Sequence, residues 1–440
     1  MKFNRAISAD LLKWKAKAKR KPLVLQGARQ VGKTFLLKAL GSSAFQDTAY
    51  FNFEEQPNLK QFFENTKDVK RIVQNLSLVY GKEINPKKTL IIFDEIQECN
   101  TALNSLKYFR ENAPEYAVAA AGSLLGIRLG KESSFPVGKV EFLQVHPLSF
   151  SEFLQEADSG MAQYVGQLNG VTTIPDIFFN TLLEKFRTYF ISGGMPEAAV
   201  TLVEGMSLKD TQKVLNDILN SYELDFSKHA PTKDIARIRH VWNSIPAQLA
   251  KENKKFLYQT LRSGARAREY EDALLWLIQA GLVHKVNRCN KPHLPLTAYD
   301  DLSAFKLFLF DVGLLRSLAQ LDAGVFSEKN KIFTEFKGSL TENYILQSLL
   351  PQFDVTPRYW ASEGIAEVDF LIQYKNHIIP CEVKADENVK SKSLAVYNQK
   401  YEPPLRIRFS LRNLSFDGGL LNIPLFMADY TKHFCEQLIK

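Results

Sequence analysis

Gly27-Ala28-Arg29-Gln30-Val31-Gly32-Lys33-Thr34 follows directly on the apolar run Leu23-Val24-Leu25. The segment meets the pattern G-x-x-x-x-G-K-[ST] at every fixed position. With Gly at about 7% of average composition, a chance match in a chain of this length is roughly a one-in-a-hundred event. The surroundings are those the pattern needs. A buried strand enters it, and an apolar-periodic helix (Phe35, Leu36, Leu37, Leu40) leaves it. Gly27 and Gly32 allow the backbone to turn its N–H groups inward, where they can cradle phosphate oxygens. The helix that starts near Lys33 adds the positive end of its dipole. Lys33 is then a point charge for the β- and γ-phosphates, and the Thr34 hydroxyl is a ligand for Mg²⁺. The expected ligands are ATP and Mg²⁺.

At 440 residues the chain exceeds what one hydrophobic core supports, so several domains are expected. Its formal net charge is +8, which permits an acidic partner such as double-stranded DNA without requiring one. Cys99, Cys289, Cys381 and Cys435 are far apart and form no C-x-x-C pair, so neither a zinc site nor a disulfide framework is indicated. No apolar run reaches the length of a membrane span, and the basic N-terminus lacks the apolar core of a secretory signal. A cytoplasmic protein without a membrane partner is expected.

A second motif supports the first. Thr89-Leu90-Ile91-Ile92-Phe93-Asp94-Glu95 reads as a fully buried parallel strand that ends in two carboxylates. Ligands of open α/β sheets sit at such strand ends. Asp94 is expected to hold Mg²⁺, and Glu95 to polarise the attacking water. Ala49-Tyr50-Phe51-Asn52-Phe53 and Ala117-Val118-Ala119-Ala120-Ala121 fit the same sheet, the latter running into Gly122-Ser123.

These pieces, with Pro136-Val137-Gly138-Lys139-Val140, His146-Pro147-Leu148-Ser149-Phe150-Ser151-Glu152-Phe153, Gly193-Gly194-Met195-Pro196-Glu197 and Phe310-Asp311-Val312-Gly313-Leu314-Leu315, extend over nearly the whole chain. Together they resemble the bacterial and archaeal AAA-type ATPases that carry a C-terminal domain of unknown function. The resemblance implies that Ser123 senses the γ-phosphate and that Asn52 restrains Glu95 until a ligand arrives. It also implies that Pro196, in a helical lid, packs near the nucleotide base. Many relatives have Gly-Arg-Val where this chain has Gly138-Lys139-Val140. Lys lacks the planar donor fork of an arginine finger, which leaves Arg128 as the nearest alternative. Such ATPases act as monomers or as homo-oligomers, and both remain open.

Residues 233–292 are helix-rich and locally basic. The periodic helix through Leu274-Leu275-Trp276-Leu277-Ile278 stops at Gly281 and is followed by two short strand candidates around Asn290-Lys291-Pro292. Helices followed by a two-stranded wing suggest a winged-helix-like module, which either contacts DNA or serves as a packing or protein-contact unit.

The last third carries a different constellation. Glu367–Tyr374 and His377–Lys384 read as a hairpin, in which Glu382 and Lys384 share a face and Asp369 comes beside them. A helix through Gly338–Leu346 can supply Glu342. An Asp, then Glu-x-Lys on the next strand, with a preceding helical Glu, is similar to the core of the PD-(D/E)XK nuclease fold. That resemblance implies Asp369 and Glu382 as Mg²⁺ ligands, Lys384 as the water-positioning residue and Glu342 as support. The alternative is a nuclease-like fold used only for interaction.

The expected architecture is therefore α/β: an AAA-type P-loop core with a parallel sheet (1–155), a helical lid (156–230), a winged-helix-like module (231–300) and a restriction-nuclease-like domain (301–440). The expected function is an ATP-hydrolysing switch acting on or with DNA. The alternative is a switch that recognises a protein partner through a non-catalytic nuclease-like domain.

Overall fold

The structure, a computed structural model, describes residues 3–123, 138–252, 254–324, 337–362, 364, 366–385 and 392–439. The chain divides into two compact units. One comprises Asn4–His146 with Gln279–Gly281, the other Met1–Phe3, Pro147–Ile278 and Leu282–Lys440.

The first unit is built on five parallel strands: β1 (Leu23–Gln26), β2 (Asp47–Asn52), β3 (Thr89–Asp94), β4 (Ala117–Gly122) and β5 (Glu141–Gln144), in the order β2-β3-β4-β1-β5. Every residue of β3 and β4 is buried, as expected of strands covered on both faces. The apolar runs of the sequence foretell this directly. β4 lies between β1 and β3, so the strand that carries the phosphate loop and the strand that ends in Asp94 are not neighbours. The helix Lys33–Ala44 packs over β3 and β4, and the small Ala side chains of β4 allow its close approach. On the other side an aromatic cluster surrounds Phe93, whose ring centroid lies 5.5 Å from Phe63 and 5.7 Å from Phe53. These edge-on and tilted contacts fix the strand one residue before Asp94.

The second unit holds the helices from Phe150–Ala157 to Thr431–Leu438 and one eight-stranded sheet. Its strands are β6 (Val283–Cys289), β7 (Asp300–Leu309), β8 (Arg358–Ala361), β9 (Glu367–Tyr374), β10 (His377–Val383), β11 (Arg406–Ser410), β12 (Ser415–Asp417) and β13 (Leu420–Pro424). Their order is β12-β13-β11-β10-β9-β8-β6-β7. The hairpin read from the sequence as a wing is β6 with β7. It does not stand alone, because β6 also pairs in parallel with β8, Arg288 opposite Tyr359. Local pattern shows a hairpin, and a pairing partner so distant in sequence leaves no local mark. Arg358 of β8 binds Asp300 at the start of β7 through two contacts of 2.8 and 2.9 Å, a fork geometry that aligns β8 with the hairpin.

Candidate nucleotide site

The loop after β1 has the shape its glycines allow. Gly32 is left-handed at φ 96° and caps the helix Lys33–Ala44. Gly27 has φ 152°, and a Cβ there would lie 2.3 Å from the carbonyl oxygen of Val145. Only hydrogen fits at that position. Lys33 is buried, and its Nζ donates to the carbonyl oxygens of Gly27 (3.0 Å) and Ala28 (2.7 Å). Burial pushes its pKa down to about 8; the carboxylates of Glu95 and Asp94 oppose that shift and Arg29 adds to it. Lys33 thus stands in the electrostatic field of both acids that end β3. Thr34, next along the helix, is half-buried.

Asp94 is buried. Its Oδ2 accepts from the Tyr50 hydroxyl at 2.7 Å, and its Oδ1 from the backbone N–H of Glu95 at 3.1 Å. Tyr50 was not singled out by motif, although its alternation on β2 places it one strand over, opposite Ile92. Burial, and then the hydrogen bond to Asp94, raise its pKa well above the usual value. The ammonium of Lys38 sits 3.8 Å above its ring. A hydroxyl from Thr34 and a buried carboxylate from Asp94 are hard oxygen donors of the kind Mg²⁺ prefers, so the residues present fit the expected ion.

Glu95 has a left-handed backbone, φ 48° and ψ 43°, a conformation that costs a non-glycine residue about 1–3 kcal/mol and concentrates at functional sites. Burial raises its pKa; the amide of Gln97, which donates to its Oε2, pulls the other way, and Asp94 adds to the rise. Asn52 is occupied differently. Its Oδ1 accepts from the N–H groups of Glu54 (2.9 Å) and Glu55 (3.2 Å), and its Nδ2 donates to the Tyr50 hydroxyl at 3.4 Å. The residue bonded to Glu95 is therefore Gln97, which the sequence reading missed. Ser123 follows the last residue of β4, where Gly122 lies beside Gln26 of β1. Lys139 pairs with Glu111 at 2.9 Å. Arg128 lies outside the described residues, as do Pro136 and Val137.

In the second unit, the two glycine motifs meet in a buried polar knot. Asp311 accepts from the N–H of Gly194 (2.6 Å) and of Leu314 (3.0 Å), and from Gln347 Nε2 (3.3 Å). Gly194 O accepts from Leu148 N at 2.6 Å, and Tyr189 donates its hydroxyl to Leu148 O at 2.6 Å. A Cβ on Gly193 would fall 2.3 Å from Asp311 and 2.5 Å from the N of Gly313. Pro196 opens the helix Pro196–Val203 immediately after this knot.

The C-terminal carboxylates also come together, but with cations of the chain itself. Glu342 bonds to Lys254 and lies 3.9 Å from Lys306, which is buried and contacts Glu367 at 2.5 Å. Despite burial, Lys254 and Lys306 hold Glu342 below its usual pKa. β9 and β10 are antiparallel, with Cys381 opposite Phe370, so Glu382 and Asp369 are adjacent. Glu382 pairs with Lys384 at 2.7 Å, and Asp369 accepts from Val383 N at 2.7 Å. Burial, and then the charge of Glu342, push the Asp369 carboxyl up. Among the described residues no three His, Cys, Asp or Glu side chains converge to hold a metal. Lys254 and Lys306 were invisible to a motif reading because they come from a loop and from β7.

Comparison with known proteins divides the chain in three. Residues 19–154 match the AAA domain family, 183–324 a domain of unknown function (DUF8612), and 337–426 another (DUF4143). No curated protein matches the chain. Among solved structures, the Walker-type ATPase of Pyrococcus abyssi is similar at 14% identity and a TM-score of 0.47, over 72% of this chain and 96% of that one. The Holliday junction branch migration motor RuvB of Thermotoga maritima is similar at 15% identity and a TM-score of 0.30, over 67% and 91%. The ORC1 protein of Aeropyrum pernix, in complex with DNA, is similar at 14% identity and a TM-score of 0.25, over 72% and 93%. Among the described residues no helix is long and apolar enough to cross a membrane. With its phosphate loop, its buried Lys33 and the two acids ending β3, the segment 19–154 has the fold of a P-loop domain and matches the AAA domain family.

Proposed function

We propose that the protein binds and hydrolyses ATP and works as a switch whose C-terminal half acts with DNA. The observation that carries the enzymatic part is the glycine-shaped loop after β1 with its buried Lys33, in one sheet with β3, which ends in the buried Asp94. The loop's N–H groups, the helix N-terminus and Lys33 bind the triphosphate. As it enters, phosphate oxygens replace the carbonyl oxygens of Gly27 and Ala28 as acceptors for the Lys33 ammonium. Thr34 and Asp94 would hold Mg²⁺, which when bound neutralises phosphate charge. Glu95 takes a proton from water as the water oxygen bonds to the γ-phosphorus. The bond from that phosphorus to the β–γ bridging oxygen breaks, and ADP leaves with the electron pair. Ser123, after β4, would report on the γ-phosphate, and Asn52 organises the turn after β2.

Lys33→Ala is expected to abolish nucleotide binding, and Glu95→Gln to retain bound ATP with turnover lowered at least a hundredfold. Equilibrium binding and phosphate release measure both. Undiminished turnover in the two variants would refute the assignment.

For the output, the net charge of +8 supports contact with DNA phosphates. A duplex mobility shift should weaken steeply between low and moderate salt. A protein partner becomes the better reading if no shift is seen. Pairing of Glu342 and Glu382 with Lys254 and Lys384 favours a nuclease-like domain that recognises rather than cleaves. Incubation of plasmid with Mg²⁺ and ATP should therefore leave it intact, and cleavage lost in Asp369→Ala would overturn that point.

A further inference from the structure

Gln97 lies on the short turn Ile96–Glu98 and is 4% exposed. Its Nε2 donates to Glu95 Oε2. An ionised carboxylate only accepts hydrogen bonds, so the direction of the amide is forced: the NH₂ donates to Glu95, and Oε1 is left as an acceptor. Among the described residues that Oε1 accepts no hydrogen bond. A buried carbonyl oxygen without a donor costs about 1–3 kcal/mol, and such an atom in a folded protein calls for an explanation. The polar side chains at the end of β2 are already committed. Tyr50 donates to Asp94, and Asn52 serves the turn at Glu54 and Glu55. The left-handed backbone of Glu95 keeps acid and amide together on one tight turn.

A group that could satisfy both the bare amide oxygen and the carboxylate must carry two hydrogens on one small atom. Water does. We propose that Gln97 positions the nucleophilic water, with its Oε1 accepting one hydrogen while Glu95 accepts the other. This rests on the reading of the site as an ATP hydrolase. With both hydrogens held, the water oxygen has its lone pairs left for the γ-phosphorus. When the new P–O bond forms, the hydrogen on Glu95 transfers to the carboxylate and the bond to ADP breaks with its electron pair. The hydrogen on Gln97 stays with the oxygen that becomes part of phosphate. Gln97 gains and loses no proton; it is a positioning residue that also holds Glu95 through its NH₂.

The test uses the full chain with saturating ATP and Mg²⁺. Gln97→Met keeps the length of the side chain and removes both polar atoms. Its kcat should fall 10- to 100-fold, with nucleotide affinity within twofold of wild type and an unchanged melting temperature. Gln97→Leu serves as a second variant, with the same expectation, should Met unsettle the turn. Acting on one water, the two residues should not be additive: Glu95→Gln/Gln97→Met should hydrolyse ATP no more slowly than Glu95→Gln alone. A role in packing alone predicts multiplied losses, which would overturn the proposal. So would a kcat within twofold of wild type in both single variants while hydrolysis still depends on Lys33, and the ATPase reading would then stand. Absence of Lys33-dependent hydrolysis in the wild type would overturn both.

Discussion

His146 shows how a single side chain couples this fold to pH. It ends the first unit, and its backbone oxygen accepts from Arg5 at 2.7 Å. Burial first, and then the Arg5 charge, press its pKa down to about 4. The folded value lies below the usual 6.5, so folding favours the neutral ring. Its contribution is complete above about pH 6.5 and is lost as pH falls toward 4, by up to about 3 kcal/mol. Urea unfolding at pH 7 and pH 4.5 measures this, and His146→Gln should lose less stability over that interval than wild type. At this scale the nucleotide site was largely legible. Gly27, Gly32, Lys33, Thr34, Asp94 and Glu95 announce themselves because phosphate cradling restricts both residue type and spacing. Tyr50 and Gln97 did not, because a tyrosine in an apolar strand and a glutamine on a turn fit many bland roles. The Tyr50 bond to Asp94 arises only once β2 and β3 lie side by side, and the Gln97 bond to Glu95 depends on the left-handed backbone of Glu95.

The motifs around Gly193 and Asp311 look like loop punctuation in sequence, and the structure shows why neither can vary alone. Asp311 is fully buried, and its pKa is pushed up to about 6 by burial, against the N–H groups of Leu314 and Gly194 and the amide of Gln347. Asp311→Ala should leave two backbone donors without an acceptor, at about 1–3 kcal/mol each. Gly193→Ala meets both a positive φ of 65° and the 2.3 Å approach to Asp311, and should cost about 2–5 kcal/mol. Thermal or denaturant unfolding checks both. If Gly193→Ala is as stable as wild type, this close packing has been misread. Strands and helices were readable from apolar periodicity, and the hairpin β9–β10 lies where alternation placed it. The sharing of Glu342 and Glu367 between Lys254 and Lys306 was not readable, since charge pairs joining a loop, a helix and two strands leave no periodic signal.

At the scale of the molecule, the segments that match two separate families contribute to one sheet. β6 and β7 belong to the match at 183–324, and β8 to β13 to the match at 337–426. A fragment of residues 337–440 would carry β8 with its β6 edge bare and Arg358 without Asp300. It should aggregate or remain unfolded. A fragment of 147–440 should be recovered folded, with a single unfolding transition by circular dichroism. Two separate transitions in that longer fragment would show the sheet to be divisible.

The far end of that sheet has its own consequence. β12 is only Ser415–Asp417, and all three side chains are exposed. An outermost strand so brief offers a stranger's backbone almost no ladder on which to assemble, and the positive-φ pair Gly418-Gly419 folds the chain straight back into β13. Lengthening this strand with β-branched residues should therefore convert a well-behaved chain into a self-sticking one, with light scattering rising with protein concentration.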